Sequence, residues 1–341
     1  MEQGKVLRRQ QRRGRFAPSP TGVLHLGNLR TALLGWLQSR LSGGEWLLRL
    51  DDLDTPRNRS GASESILADL SWLGLGWDGP VILQSERRPL YAAALASLRR
   101  QGQIYPCHCS RRSLAVVSAP HGAWPVYPGL CRELPPHWGE LQGRRPSWRL
   151  RLPEGRLRWP EQVGAGGDLD LAAQVGDVVL RRADGFVAYH LATAVDELSL
   201  GITTVLRGDD LWHSTAPQLA VMRCLGLQQL PEYWHVPLWR QDDGRRLAKR
   251  DGSEGLEALR ERGLDAAAVI GRLAASLELV PAGSRLSALE LQQQLSELEL
   301  RDALRAKALP GTVLPGTLKK GSGLEAPMTG HSEAMQSVFN S

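Results

Sequence analysis

The stretch Gly14-Arg-Phe-Ala-Pro-Ser-Pro-Thr-Gly-Val-Leu-His-Leu-Gly-Asn28 constrains this 341-residue chain more than any other. A short apolar strand enters a turn rich in Pro and Gly. His25-Leu-Gly-Asn28 then leads into Leu29, Ala32, Leu33, Trp36 and Leu37 at helical spacing. A histidine and small polar side chains are thereby delivered to a helix N-terminus, where unpaired N–H groups and the macrodipole favour phosphate. The segment has neither the glycine spacing of a dinucleotide fingerprint nor a Walker lysine loop. Taken alone, its plainer reading is a Pro-rich strand–helix connector, yet closing such a turn does not require this order of residues.

Strand and helix patterns alternate from Gly14 to Ile104. Glu45-Trp-Leu-Leu-Arg-Leu50 reads as a buried strand ending in Asp51, Asp52 and Asp54, and residues 61–73 and 88–101 read as amphipathic helices. Such alternation predicts a parallel sheet with crossover helices. Residues 105–160, rich in Pro, Gly, Trp and Cys, break the pattern and read as an insertion. The pattern returns with Asp177–Arg182, Ala188–Val195, Gly201–Arg207 and a helix over 215–226, and residues 256–277 and 286–307 read as two further helices. The expected organisation is a mobile basic arm (1–13), two halves of a doubly wound α/β domain (14–104 and 161–252) around the insertion, a helical part (253–308) and a disordered tail (309–341).

Hydrophobic residues make up 42%, ordinary for a globular core. No apolar run approaches the roughly 18 residues of a membrane span, and the N-terminus lacks the apolar region of a secretory signal, so the expected location is cytoplasmic. The net charge is +6, but the first fifteen residues hold six cations against Glu2 alone. This predicts a near-neutral globule with a basic arm that either touches RNA phosphates or is a solvated end.

Three further groups of residues suggest chemistry. A carboxylate at the carboxyl end of a parallel strand, such as Asp51, sits where open sheets bind ligands and holds an ammonium by charge-assisted hydrogen bonds; the alternative is an acidic turn capping the next helix. Gly244-Arg-Arg-Leu-Ala-Lys-Arg250 is a Gly-flanked cationic loop whose charges can screen phosphate, or simply a basic surface loop. Cys107, Cys109 and Cys131 fall within 25 residues, and without a secretory signal their thiolates suit a metal better than disulfides. Tyr127, His108 and His121 compete for the fourth position, while Cys224 reads as core.

His25-Leu26-Gly27-Asn28 resembles the HIGH signature of class I aminoacyl-tRNA synthetases, and Arg246-Leu-Ala-Lys-Arg250 resembles their KMSKS loop. The preceding Gly-Arg-Phe-Ala-Pro-Ser-Pro-Thr-Gly resembles the glutamyl and glutaminyl branch. The set Cys107-x-Cys109 and Tyr127-x-x-x-Cys131 resembles the zinc site of glutamyl-Q tRNA(Asp) synthetases, in which a tyrosine is the fourth ligand. Only about 90 residues follow Arg250, too few for the anticodon-binding region of a full glutamyl-tRNA synthetase. The resemblance spans about residues 14–300.

It implies a Rossmann-like class I catalytic domain with a zinc-containing insertion and a short helical C-terminal part. His25, Gly27, Asn28, Arg246 and Lys249 would bind ATP, with His25, Asn28 and Lys249 catalytic. Arg15, Phe16, Ala17, Pro18, Ser19, Asp51, Tyr189 and Arg207 would bind glutamate. Three departures stand out: Arg246 replaces the first lysine of the loop, Ala248 its serine, and Asp51 a glutamate, one methylene shorter. The implied activity is ATP-dependent, tRNA-independent activation of L-glutamate and its transfer to queuosine in the anticodon stem-loop of tRNA(Asp), by a monomer using one structural Zn2+ and Mg2+ with ATP. A shortened glutamyl-tRNA synthetase charging tRNA(Glu) and a non-catalytic zinc- or RNA-binding paralogue are the alternatives.

Overall fold

The structure, a computed structural model, describes residues 11–110, 114, 126–239 and 255–308. Arg246, Ala248, Lys249, His121, most of the basic arm and the 309–341 tail lie outside the described residues.

Strand β1 (Arg13–Phe16) pairs in parallel with β2 (Glu45–Leu50) through helix α1 (Leu26–Leu41), and β2 with β3 (Ile82–Leu83) through α2 (Ala62–Trp72). After α3 (Arg88–Arg100) the chain leaves the sheet in β4 (Ile104–Cys107), β5 (Ser147–Leu150), β6 (Arg156–Trp159), β7 (Gly167–Asp170) and β8 (Val179–Arg181). It returns through α4 (Tyr189–Ser199), β9 (Thr204–Gly208), α5 (Thr215–Cys224) and β10 (Glu232–Val236), with β9 and β10 parallel. Beside β1, the Thr203 N–H just before β9 donates to Arg13 O at 2.9 Å. The spatial order is therefore β3-β2-β1-β9-β10. The chain reverses its direction of growth between β1 and β9, and the carboxyl ends flanking that switch point are the ligand position of an open α/β sheet.

Two apolar cores explain why these segments are strands buried on both faces. Successive residues of a strand point to opposite faces. Leu206 and Trp234 accordingly join Trp46, Leu48, Leu50 and α1 on one side. Val205 and Tyr233 join α3, α4 and α5 on the other. Four helices close the first core: α6 (Leu256–Glu261), α7 (Ala266–Ala275), α8 (Ala288–Gln294) and α9 (Glu297–Lys307). No helix of the described residues is long and apolar enough to cross a membrane.

Several expectations need correction. The basic arm is not mobile to residue 13: Arg13 opens β1 and donates to Glu45 Oε2 at 2.6 Å, and Arg12 pairs with Glu297 at 2.7 Å. The antiparallel insertion continues past residue 160, because β4 pairs with β5, β5 with β8, and β6 with β7. The helix expected over 256–277 is two, broken where Gly263 takes φ 77° and Asp265 caps α7 by accepting from Ala268 N. The one expected over 286–307 is also two, because Ser296 and Glu299 form a capping box that starts α9.

Candidate active site

Helix α1 begins at His25. Its Nδ1 accepts from Asn28 N at 3.2 Å, and Asn28 Oδ1 accepts from His25 N at 3.3 Å. This reciprocal cap fixes the neutral imidazole with its proton on Nε2. Gly27 makes the fold-back possible, since a Cβ there would lie 2.9 Å from His25 Cε1. The residue order His-x-Gly-Asn thus has a local cause: it turns a histidine ring over a helix N-terminus. His25 also bridges to Gly255, the first described residue after the cationic loop.

A cavity of about 410 Å³ opens at the switch point. Its wall includes Arg15, Phe16, Ala17, Pro18 and Ser19 from the end of β1, and His25, Gly27 and Asn28 from the start of α1. Asp51, Tyr189 and Arg207 complete the same wall. All the described residues expected to bind ATP or glutamate therefore face one space. Trp239, the last described residue before the cationic loop, lines it too. Trp239 and Gly255, the described residues that flank the cationic loop in sequence, thus stand at the cavity wall and beside His25.

The cavity floor is a buried charge network that the sequence reading missed. Arg49, 1% exposed, donates to Asp51 Oδ1 at 2.7 Å and Oδ2 at 3.2 Å. It also lies 3.5 Å from Asp196 and 3.7 Å from Glu197. Burial opposes its charge, but these three carboxylates outweigh that cost and hold it cationic. Burial likewise pushes the Asp51 carboxyl up, against the pull of Arg49. Arg15 Nε donates to Glu197 Oε1 at 2.8 Å, and Asp196 takes Arg87 Nε at 2.7 Å and Tyr91 OH at 3.0 Å. Of the three strand-end aspartates only Asp51 lines the cavity; Asp52 instead clamps Ser85 N and Oγ at 2.7 and 2.6 Å. The overlooked signal was Arg49 itself, a charge inside an otherwise apolar strand.

Arg207 donates Nε to His235 Nε2 at 3.1 Å, Nη1 to Gln218 Oε1 at 2.7 Å and Nη2 to Thr215 Oγ1 at 2.8 Å. Tyr189 begins α4 and is 42% exposed, open to the cavity rather than packed in the core.

In the insertion, the Sγ atoms of Cys107, Cys109 and Cys131 all lie within 4.8 Å of one another. Tyr127 OH is 3.4 Å from Cys107 Sγ and 3.8 Å from Cys109 Sγ, and accepts from Cys131 N at 2.9 Å. Three thiols and a phenol converge as a metal site requires. His108, between two of the cysteines, directs Nε2 to His137 O at 2.9 Å and stands outside the thiol group. Burial opposes a Cys107 thiolate, but the Tyr127 hydroxyl and the Arg149 guanidinium stabilise it and hold the thiol down at about 7. Burial and the Cys107 contact push the Tyr127 phenol up. Cys224 is on α5, packed against the second core.

The model of class I (E and Q) tRNA synthetase catalytic domains matches residues 11–276. The glutamyl-Q tRNA(Asp) synthetase of Prochlorococcus marinus strain MIT 9303 is 55% identical over 299 residues, covering 88% of this chain and 92% of that one. The protein of the same name from Parasynechococcus marenigrum is 55% identical over 289 residues, 85% of this chain and 91% of that one. Among solved structures, a glutamate tRNA ligase from Elizabethkingia meningosepticum in complex with its amino acid superposes with a TM-score of 0.71 at 26% identity. The alignment takes in 85% of this chain, which spans 66% of the length of that ligase. Sequence signatures, sheet topology and these relatives converge, and the chain belongs to the glutamyl-Q tRNA(Asp) synthetase family, ligases of the class I aminoacyl-tRNA synthetase type.

Proposed function

We propose that this chain activates L-glutamate with ATP and passes it to the queuosine base in the anticodon stem-loop of tRNA(Asp). One observation carries the reading: the capped start of α1 and the cationic and acidic groups suited to glutamate line the same cavity. The glutamate α-carboxylate attacks the α-phosphorus of ATP and pyrophosphate leaves; a queuosine hydroxyl then attacks the adenylate carbonyl, the acyl–phosphate bond breaks, and AMP leaves as the hydroxyl gives up its proton. The His25 Nε2–H, Asn28 and the N–H groups at Gly27 stabilise phosphate charge, and Mg2+ accompanies the nucleotide. Lys249, with Arg246 three residues before it in the sequence, neutralises the departing pyrophosphate. Lys249 is six residues from Gly255, within a chain reach of about 20 Å. Asp51 receives the α-ammonium, and its place on Arg49 sets how far the shortened side chain extends. Arg207, Arg15 and Tyr189 receive the side-chain carboxylate, and Phe16 to Ser19 form the wall beside them. Positioning and electrostatics suffice, with no covalent enzyme intermediate.

Cys107, Cys109, Cys131 and Tyr127 would hold one structural Zn2+. A tetrahedral ion with bonds of about 2.3 Å sets its sulfurs about 3.8 Å apart, and the Cys109–Cys131 separation of 3.5 Å suits it. The ion would fix the insertion. The chain would act as a cytoplasmic monomer. Transfer of labelled glutamate to tRNA(Asp) with and without queuosine tests the reading. Label is expected only on the queuosine-bearing tRNA, whereas charging of tRNA(Glu) or no turnover at all would replace it.

A further inference from the structure

Glu161 and His235 lie 74 residues apart in sequence and outside every motif, yet they meet beneath the cavity. Their side chains are 0% and 2% exposed. Glu161 follows β6 and bridges to Tyr233 on β10. Its Oε1 accepts from His235 N at 2.8 Å, and its Oε2 lies 2.6 Å from His235 Nδ1. His235 is in register with Arg207 on the neighbouring parallel strand. Its Nε2 receives the Arg207 Nε–H at 3.1 Å, which requires Nε2 to be unprotonated. The only neutral form that satisfies both contacts carries the proton on Nδ1 and donates it to Glu161. Burial, with the Arg207 charge, favours the neutral ring over the pull of Glu161.

We infer that Glu161 and His235 are positioning residues that select the substrate's side-chain carboxylate, acting through Arg207. This rests on the reading of Arg207 as the glutamate ligand. The buried carboxylate fixes the tautomer, the tautomer fixes an acceptor, and the acceptor fixes one edge of the guanidinium. His235, Gln218 and Thr215 take three of its five N–H donors. Two remain, the number a carboxylate accepts in a bidentate pair. An unpaired buried donor would let the guanidinium turn to satisfy itself and lose that presentation.

The experiment is ATP–pyrophosphate exchange by the full chain carrying Glu161→Gln or His235→Phe, with thermal unfolding measured in parallel. In the first, one acceptor oxygen becomes a donor. The second removes Nε2 while keeping an aromatic ring beside Tyr233, on which His235 stacks with centroids 5.8 Å apart. The KM for glutamate should rise about 10- to 100-fold, with the KM for ATP and kcat little changed. Independently of any variant, the 15N spectrum of the wild-type His235 ring should show Nδ1 protonated and Nε2 bare. An unchanged KM for glutamate, equal loss of ATP and glutamate binding with a lowered unfolding temperature, or a proton on Nε2 would each overturn the proposal. Arg207→Lys separates the two levels: an unchanged KM there removes the glutamate reading itself, whereas a raised KM in Arg207→Lys alone sinks only the Glu161–His235 inference.

Discussion

The cavity floor and the cysteine cluster are both polar and buried, but they are supported in opposite ways. The floor rests between two large apolar cores, one led by α1 and the other by α4 and α5. Its charges neutralise one another without outside help: Arg49 is flanked by Asp51, Asp196 and Glu197, and Arg15 by Glu197. Among the described residues, the cluster of the insertion rests on Tyr105, Cys107 and Tyr127 as its buried apolar residues. Asp177 adds a polar clamp there, accepting from Tyr105 OH at 2.6 Å, Arg132 at 2.6 Å and Leu152 N at 2.8 Å. A deep core tolerates buried charge and uses it to hold functional groups at a cavity. The smaller one brings together three thiols of the kind that can hold a metal.

Breaking the floor should have the largest effect. Arg49→Met leaves three carboxylates buried together, and denaturant unfolding should show a loss of about 3–5 kcal/mol; a change under about 1 kcal/mol would mean the network is not what supports the floor. Next comes Gly27→Ala, whose Cβ would lie 2.9 Å from the His25 ring. Glutamate-dependent exchange should fall about 10- to 100-fold as the imidazole is displaced, and full activity would detach the ring from the reaction.

A smaller effect belongs to Asp69 on α2, whose carboxyl is pushed up to about 6 by burial, against the pull of Arg260 and with the help of Glu257. Folded chains keep this proton where unfolded chains have lost it. Stability should therefore be greater near pH 4 than above pH 6 by an amount on the order of 1 kcal/mol from this group. Asp69→Asn should remove that slope, and parallel pH profiles for the two proteins would refute the assignment. The smallest effect on catalysis is expected at the other region. Cys109→Ser should lose the metal and make the insertion protease-sensitive, while glutamate activation stays within about threefold. A collapse of activation would show that the two regions are not independently supported.

Glu45–Leu50 was legible as a strand to the residue, since its run of apolar residues faces both cores. His25, Gly27 and Asn28 were legible as a helix start because their cap is local. The C-terminal helix breaks were also written in the chain, as Gly263 before Asp265 and as Ser296 three residues before Glu299, but apolar periodicity running across them hid the caps. Glu161 and His235 could not be found this way: neither belongs to a spacing, and only the pairing of β9 with β10 and the return of the chain after β6 bring them to Arg207. Arg49 lay between, visible as a misplaced charge but without partners until Asp196 and Glu197 were placed on α4.

The most direct measurement is ATP–pyrophosphate exchange by the purified chain with glutamate and Mg2+ and no RNA present. A self-supporting cavity predicts exchange under these conditions, lost in His25→Ala. Exchange that appears only when tRNA is added would contradict it, because the site would then be completed by the nucleic acid rather than by the groups that line it.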